Sequence, residues 1–219
     1  MCDALKAENG ILAGTEKQMD AWKMEPMTLP EVRRTYRNHL VEDFPWEERK
    51  SLGMIEKSLA AGEYECLGLR EGSDLLAYAF FVCPAGVPYC LFDYFAVIRG
   101  RRGRGIGSLA LHALSKNPPR GRDLILLEVE EPEAAADPEE REVREKRLRF
   151  YAGNGLLDTG VRAVTYGVPF RILELPLSRP HTAEEAAAAY AGVYATILPA
   201  EAYRKNVRIR QLSAGADLS

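Results

Sequence analysis

The segment Val97-Ile98-Arg99-Gly100-Arg101-Arg102-Gly103-Arg104-Gly105-Ile106-Gly107-Ser108 constrains this chain more than any other. It leaves an apolar, aromatic run of strand length and enters a short helical pattern over residues 106–114. A turn from strand to helix through repeated glycines uses backbone angles that glycine alone adopts at no steric cost. Those glycines let backbone N–H groups approach a ligand closely, and the helix start adds unpaired donors and a partial positive charge. Four arginines within six residues surround the donors, so polyphosphate is the natural ligand. The plainer alternative is a flexible basic loop that contacts RNA.

The phosphate readings can be separated. A Walker loop needs Gly-Lys followed by Ser or Thr, and here Gly107 precedes Ser108 with no lysine. Gly105-x-Gly107-x-x-Ala110, with Glu128 about 20 residues on, does match the dinucleotide fingerprint of an NAD(P)-dependent oxidoreductase. Against that, seven residues separate Val97 from Gly105, whereas the fingerprint's first glycine turns directly off its strand. The remaining chain also supplies too few alternating strands and helices for a doubly wound sheet.

Residues 75–92 carry no charge, and 18 such residues approach the length of a membrane-spanning helix. Pro84-Ala85-Gly86-Val87-Pro88 sits in their middle and would break one, so two buried strands joined by a turn are expected. The first six residues lack the basic-then-apolar order of a signal peptide. With four cysteines in no C-x-x-C pair and no metal-ligand spacing, a cytoplasmic protein with reduced thiols and no metal is expected. The balance of 29 basic against 32 acidic residues gives no whole-molecule footprint for nucleic acid. At 219 residues, 47% of them hydrophobic, the chain can bury a sizeable core.

Along the chain, residues 1–22 read as a polar extension. A helix over 29–40 with Pro30 in its first turn is interrupted at 41–48, and a second runs to about residue 61. Strands follow at 64–69, 75–82 and 89–97, then the helix 106–114 and a central-type strand at 123–130. Asp137, Pro138 and Glu140 open a helix that ends near Gly153-Asn154-Gly155. Its pairs Glu140–Arg144, Glu142–Lys146 and Glu145–Arg149 mark an exposed face. A hairpin is expected at 161–166 and 170–177, around Gly167-Val168-Pro169. Residues 179–219 form a helical appendage whose stripe Ala187, Tyr190, Ala191, Tyr194, Ile197, Leu198 must pack on something.

Three ordered motifs carry a family resemblance. Arg102-x-x-Gly105-x-Gly107, after the strand Tyr94-Phe95-Ala96-Val97, resembles the R/Q-x-x-G-x-G/A signature of the GNAT superfamily of acetyl-CoA-dependent N-acetyltransferases. Leu127-Glu128-Val129 is similar to that family's next strand, and Phe150-Tyr151-x-x-x-Gly155-Leu156 to its F-Y-x-x-x-G-F element. One departure is the acidic insertion 131–139, which replaces an Asn-x-x-Ala linker. The resemblance implies an α/β (α+β) fold over residues 23–178: a mixed, largely antiparallel central sheet with helices on both faces.

It also implies roles. Backbone N–H groups of Arg102, Gly103, Arg104, Gly105, Ile106, Gly107 and Ser108 would hold the coenzyme A pyrophosphate. Phe95, Ala96 and Val97 would pair with the pantetheine arm, and Asn154 would add a coenzyme contact. Tyr151 would protonate the departing thiolate, with Glu128, or alternatively Asp93, as base. The plain readings are a core tyrosine at a helix end, and carboxylates that merely share strand faces. Glu42, Asp43, Phe44 and Trp46 would receive the acceptor, carboxylates for its amine and aromatics for its carbon skeleton; a solvated turn anchored by Phe44 is the alternative. His39, His112 and His181 read as ordinary surface or packing residues. The expected activity is acetyl transfer from acetyl-CoA to an amine-bearing small molecule or peptide, with a non-catalytic acyl-CoA sensor as the rival. The C-terminal helix would either cover the acceptor site or make a homodimer contact. Neither a membrane nor nucleic acid is an expected partner.

Overall fold

Proline and glycine decide the middle of the chain. In a computed structural model that describes residues 19–212, the uncharged run 75–92 becomes two strands and a turn, and no described helix is long and apolar enough to cross a membrane. Cys2 and nearly all of the expected N-terminal extension lie outside the described residues. Cys66, Cys83 and Cys90 are buried free thiols.

The chain divides into two compact units, Met1–Phe81 with Tyr94–Pro119 and Val82–Asp93 with Arg120–Ser219. The first contains β1 (Met24–Pro26), α1 (Leu29–Thr35), α2 (Leu52–Ala60), β2 (Tyr64–Glu71), nearly all of β3 (Asp74–Val82), the end of β4 (Tyr89–Val97) and α3 (Ile106–Lys116). The second contains the start of β4, then β5 (Leu124–Glu130), α4 (Pro138–Gly153), β6 (Leu157–Thr165), β7 (Val168–Pro176), α5 (Ala183–Ile197), α6 (Ala200–Asn206) and β8 (Val207–Gln211). The strands form an eight-stranded sheet in the order β1-β2-β3-β4-β5-β7-β6-β8. It is mixed and mostly antiparallel, as expected: β4 and β5 run parallel, while β5–β7, β6–β7, β6–β8 and β1–β2 are antiparallel.

In the first unit, Thr28 caps α1 and the Glu31 carboxylate reaches back to its N–H at 2.7 Å. Helical chain continues past Thr35 through a π-helical turn, Tyr36–Leu40, to Asp43. It stops there because Phe44 precedes Pro45 and must be extended, with φ −124° and ψ 142°. The expected helix end at residue 40 was therefore three residues early. Tyr78 and Phe80 of β3 are wholly buried in this unit.

In the second unit, Asp137 caps α4 and accepts from the Glu140 N–H at 2.8 Å. All three expected acidic-to-basic pairs along α4 form. Arg144 departs from the expected exposed face: it is buried, donating to the Glu131 carbonyl at 2.8 Å and to Glu130 at 3.2 Å. The hairpin turn is Tyr166-Gly167, not Gly167-Val168-Pro169, because both turn residues take positive φ (52° and 86°) and Val168 already pairs with Thr165. The expected helical appendage is more than helix. Its final segment, β8, pairs with β6 from Val161↔Gln211 to Thr165↔Val207.

The Pro84–Pro88 turn is held from one side chain. The Arg122 guanidinium donates to the carbonyls of Pro84 (2.9 Å), Val87, Tyr89 (3.4 Å) and Cys83 (3.4 Å). Those carbonyls have no ladder of their own at the turn, so Arg122 stands in for one. Arg122→Met keeps the aliphatic stem and removes every donor. Urea unfolding of this variant is expected to show a loss of about 2–3 kcal/mol, the range for hydrogen bonds from a charged group; a loss under about 0.5 kcal/mol would mean that water serves the carbonyls equally well.

Candidate active site

The glycine–arginine segment begins where β4 ends. The Ile98 N–H bonds the Leu76 carbonyl at 2.9 Å, and a single 3-10 turn, Arg99–Arg101, follows. Gly103 and Gly105 then take φ +75° and +73°, and Gly105 is the N-cap of α3. A Cβ at Gly103 would meet nothing within 4 Å, so the backbone angle and not space is what asks for glycine there. The Leu109 N–H bonds the Gly105 carbonyl at 3.0 Å, and helix geometry leaves the N–H groups of Ile106, Gly107 and Ser108 without intrahelical acceptors. The 3-10 turn fills the gap between strand and Gly105. A glycine turning directly off the strand is therefore absent, and so is a doubly wound sheet, which removes the dinucleotide fingerprint.

Asp43 organises the arginines. Its carboxylate is 3% exposed and accepts from Arg102 Nη2 at 2.6 Å and Arg99 Nε at 3.3 Å through Oδ1, and from the Tyr78 hydroxyl at 2.9 Å through Oδ2. Arg102 Nε also donates to the Val97 carbonyl at 3.0 Å, tying the loop back to its strand. Burial, reinforced by the Asp43 charge, pushes the Tyr78 phenol up, so it stays a donor. Arg101 pairs with Asp74 at 3.0 Å. Of the four residues expected to meet an acceptor, Asp43 thus has its carboxylate committed to the loop. Phe44 lies edge-on to Tyr94 with ring centroids 4.9 Å apart. Tyr94 in turn accepts from the Lys50 N–H (2.7 Å) and donates to the Glu48 carbonyl (3.1 Å). Glu42 is exposed, and Trp46 is 71% exposed. Phe95, Ala96 and Val97 are half-buried at the end of β4.

In the second unit the carboxylate of Glu128 is the centre of a polar cluster. Tyr190 and Tyr194, one turn apart on α5, both donate to Glu128 Oε1, Tyr194 at 2.8 Å and Tyr190 more closely. Thr165 of β6 is 2.8 Å from the Tyr190 oxygen. A phenol has one proton, so with Tyr190 donating to Glu128 the Thr165 hydroxyl donates to Tyr190. Burial first, then the Glu128 charge, pushes both phenols well above the usual tyrosine range; the Asp93 charge adds to this at Tyr194. Asp93 and Glu128 each lie two residues beyond Leu91 and Leu126, the last paired positions given for β4 and β5. The two candidate bases are thereby brought to one pair of tyrosines.

Tyr151 occupies the last turns of α4, is 8% exposed, and makes no hydrogen bond among the described residues. Burial pushes its phenol up to about 12, with the Arg147 charge acting the other way. Asn154 is the C-cap of α4 and donates to the Phe150 carbonyl at 2.7 Å, and Gly155 follows at φ +83°. Among the histidines, His112 pairs with Asp20 at 2.9 Å. His181 is buried, with its N–H (3.0 Å) and Nδ1 (3.1 Å) on the buried Glu174. Sequence reasoning found the stripe on α5 but not its partner. The buried face is Ala186, Ala189, Tyr190, Val193 and Tyr194, and the i,i+4 tyrosines beside a strand carboxylate were the signal available.

No protein-family model and no curated protein matches the sequence. Solved structures do. A protein from Bacteroides thetaiotaomicron assigned to the GNAT family of acetyltransferases is 20% identical, with a TM-score of 0.60 over 80% of this chain and 95% of its own. The ribosomal-protein-S18-alanine N-acetyltransferase of Escherichia coli is 19% identical (TM-score 0.50; 73% of this chain, 96% of its own). A Salmonella typhimurium protein assigned as an acetyltransferase and solved with acetyl-CoA is 17% identical (TM-score 0.50; 74% and 96%). Loop, helix and mixed sheet together give this chain the fold of the GNAT acetyltransferases.

Proposed function

We propose that the protein transfers an acetyl group from acetyl-CoA to a primary amine by direct attack. The observation that carries this reading is the strand–loop–helix unit at Gly103 and Gly105, whose positive φ values turn backbone donors and arginines toward one helix start. Coenzyme A meets that chemistry with its phosphates. The N–H groups of residues 102–108 would hold the pyrophosphate, Phe95–Val97 the pantetheine arm by strand-like pairing, and Asn154 a further part of the coenzyme. Among the similar proteins, one acetylates a ribosomal-protein alanine and another was solved with acetyl-CoA, which favours an amine acceptor and this donor.

The chemistry needs a base and an acid. An amine of pKa near 10.4 arrives as an ammonium and must first lose a proton, which Glu128, assisted by Asp93, would accept. The neutral nitrogen then attacks the thioester carbonyl; the C–N bond forms and the C–S bond breaks. Sulfur takes the Tyr151 proton, and the second proton leaving nitrogen replaces it. Exposed Glu42 and Trp46, with Phe44 beside them, are the proposed acceptor contacts.

Calorimetry tests the donor. Coenzyme A is expected to bind, more weakly as salt rises because partly exposed ion pairs are screened, and NAD(H) is not. Gly105→Val would have to hold a β-branched residue at φ +73°, so its affinity for coenzyme A should fall at least tenfold in a protein that still folds. NAD binding without a response to coenzyme A would overturn the reading.

Turnover tests the acid. Tyr151→Phe keeps the ring and deletes the hydroxyl, so acetyl-CoA affinity should hold while kcat, followed by thiol release over a panel of amines, drops about 10²–10⁴-fold. A phenol raised to about 12 remains protonated at neutral pH, and its ionisation then causes no fall in rate below about pH 11. A variant within about threefold of the parent kcat would make Tyr151 a packing residue only.

A further inference from the structure

The C-terminal helix puts two phenols on one carboxylate oxygen, and this is more than packing requires. Tyr190 is fully buried and Tyr194 nearly so, and a buried phenol needs only one hydrogen-bond partner. The Thr165 hydroxyl alone would serve Tyr190. Instead both tyrosines converge on Glu128 Oε1, and neither contacts Oε2. The arrangement is directional: Thr165 donates to Tyr190, and Tyr190 and Tyr194 donate to Glu128. Raised far above the ordinary tyrosine range by burial and by the Glu128 charge, the phenols cannot hand their protons away at neutral pH. They hold the carboxylate in its ionised form and in one rotamer.

α5 itself is fixed for this task. Thr182 and Glu185 form a capping box at its start, and the preceding His181 is anchored on Glu174 of β7. An added Cβ at Gly192, between the two tyrosines, would lie 2.2 Å from the Tyr89 hydroxyl, so a glycine lets the helix sit close to β4 at that point. Close approach there sets how far the phenols reach.

We propose that Tyr190 and Tyr194 are positioning residues for acyl transfer: by occupying Oε1 they make Glu128 Oε2 the atom that takes the proton from the acceptor ammonium. In that step an N–H bond breaks, an O–H bond forms on Oε2, and the electron pair stays on nitrogen for attack. The assignment rests on the acetyltransferase reading above. It gives the C-terminal segment a part in the chemistry that neither a lid nor a dimer contact would have.

The test is a double-mutant cycle in the full chain. Tyr194→Phe, and the pair Tyr190→Phe with Tyr194→Phe, are each made in the native protein and in Glu128→Gln. Thermal unfolding, acetyl-CoA affinity by calorimetry, and kcat and KM from thiol release are read for every variant. The expected result is a fall in kcat of about tenfold for Tyr194→Phe and about a hundredfold for the pair, the scale of a misplaced catalytic group. Acetyl-CoA affinity should be unchanged. In Glu128→Gln the same phenylalanine substitutions should change kcat less than twofold, because residues acting through one group are not additive. Equal losses in both backgrounds, or losses that follow the unfolding temperature, would make the tyrosines purely structural and overturn the proposal. An unaltered kcat in the native background would do the same. A native protein that binds acetyl-CoA yet acetylates no amine would instead overturn the reading beneath it, and the assignment with it.

Discussion

The Asp43 carboxylate is where three parts of the first unit meet: the end of the α1 helical segment, strand β3 through Tyr78, and the arginine loop through Arg99 and Arg102. A carboxylate this buried is costly unless it is paired and hydrogen-bonded, and here it is both. Its arginine partners are half exposed, so the energy of each pair is partly screened. What the contact supplies is position. Arg102 bridges Asp43 and the Val97 carbonyl, and the peptide units after it are those whose glycines take positive φ. An anion arriving at the start of α3 meets donors already in place, which lowers the ordering cost of binding.

The second unit repeats the device with the roles reversed. There the central carboxylate, Glu128, lies on a strand, and its partners are neutral phenols from a helix. Arginines would neutralise the carboxylate; tyrosines leave its negative charge intact while fixing its geometry. A buried brace and a proton acceptor ask for different partners. Asp43 has the first set and Glu128 the second.

Much of this was legible in the sequence for identifiable reasons. Strands β3 and β4 were marked by an uncharged run that Pro84, Gly86 and Pro88 interrupt. The anion loop was marked by glycines whose spacing survives as positive φ at Gly103 and Gly105. Capping residues located α4 and α5 to within a residue. What escaped depended on partners distant in the chain. Asp43 looked like a surface carboxylate because Arg102 is 59 residues away. Arg144 looked exposed because its place at i,i+4 from Glu140 is a surface pattern, while the Glu131 carbonyl that buries it is invisible to periodicity. The strand β8 was missed because Val207-Arg208-Ile209-Arg210-Gln211 follows a helix so closely that it read as its tail.

That last strand bears on solubility. An open sheet ends in rows of unpaired N–H and C=O groups that invite another chain to add on. At one side the sheet stops with β1, three residues long and ending in Pro26, which has no N–H to offer. At the other it stops with β8, where Arg208 and Arg210 alternate with Val207 and Ile209. A second copy laid against that border would set like charges opposite one another. Each border of the sheet is thus poor in what strand-to-strand aggregation requires, one by brevity and proline, the other by charge.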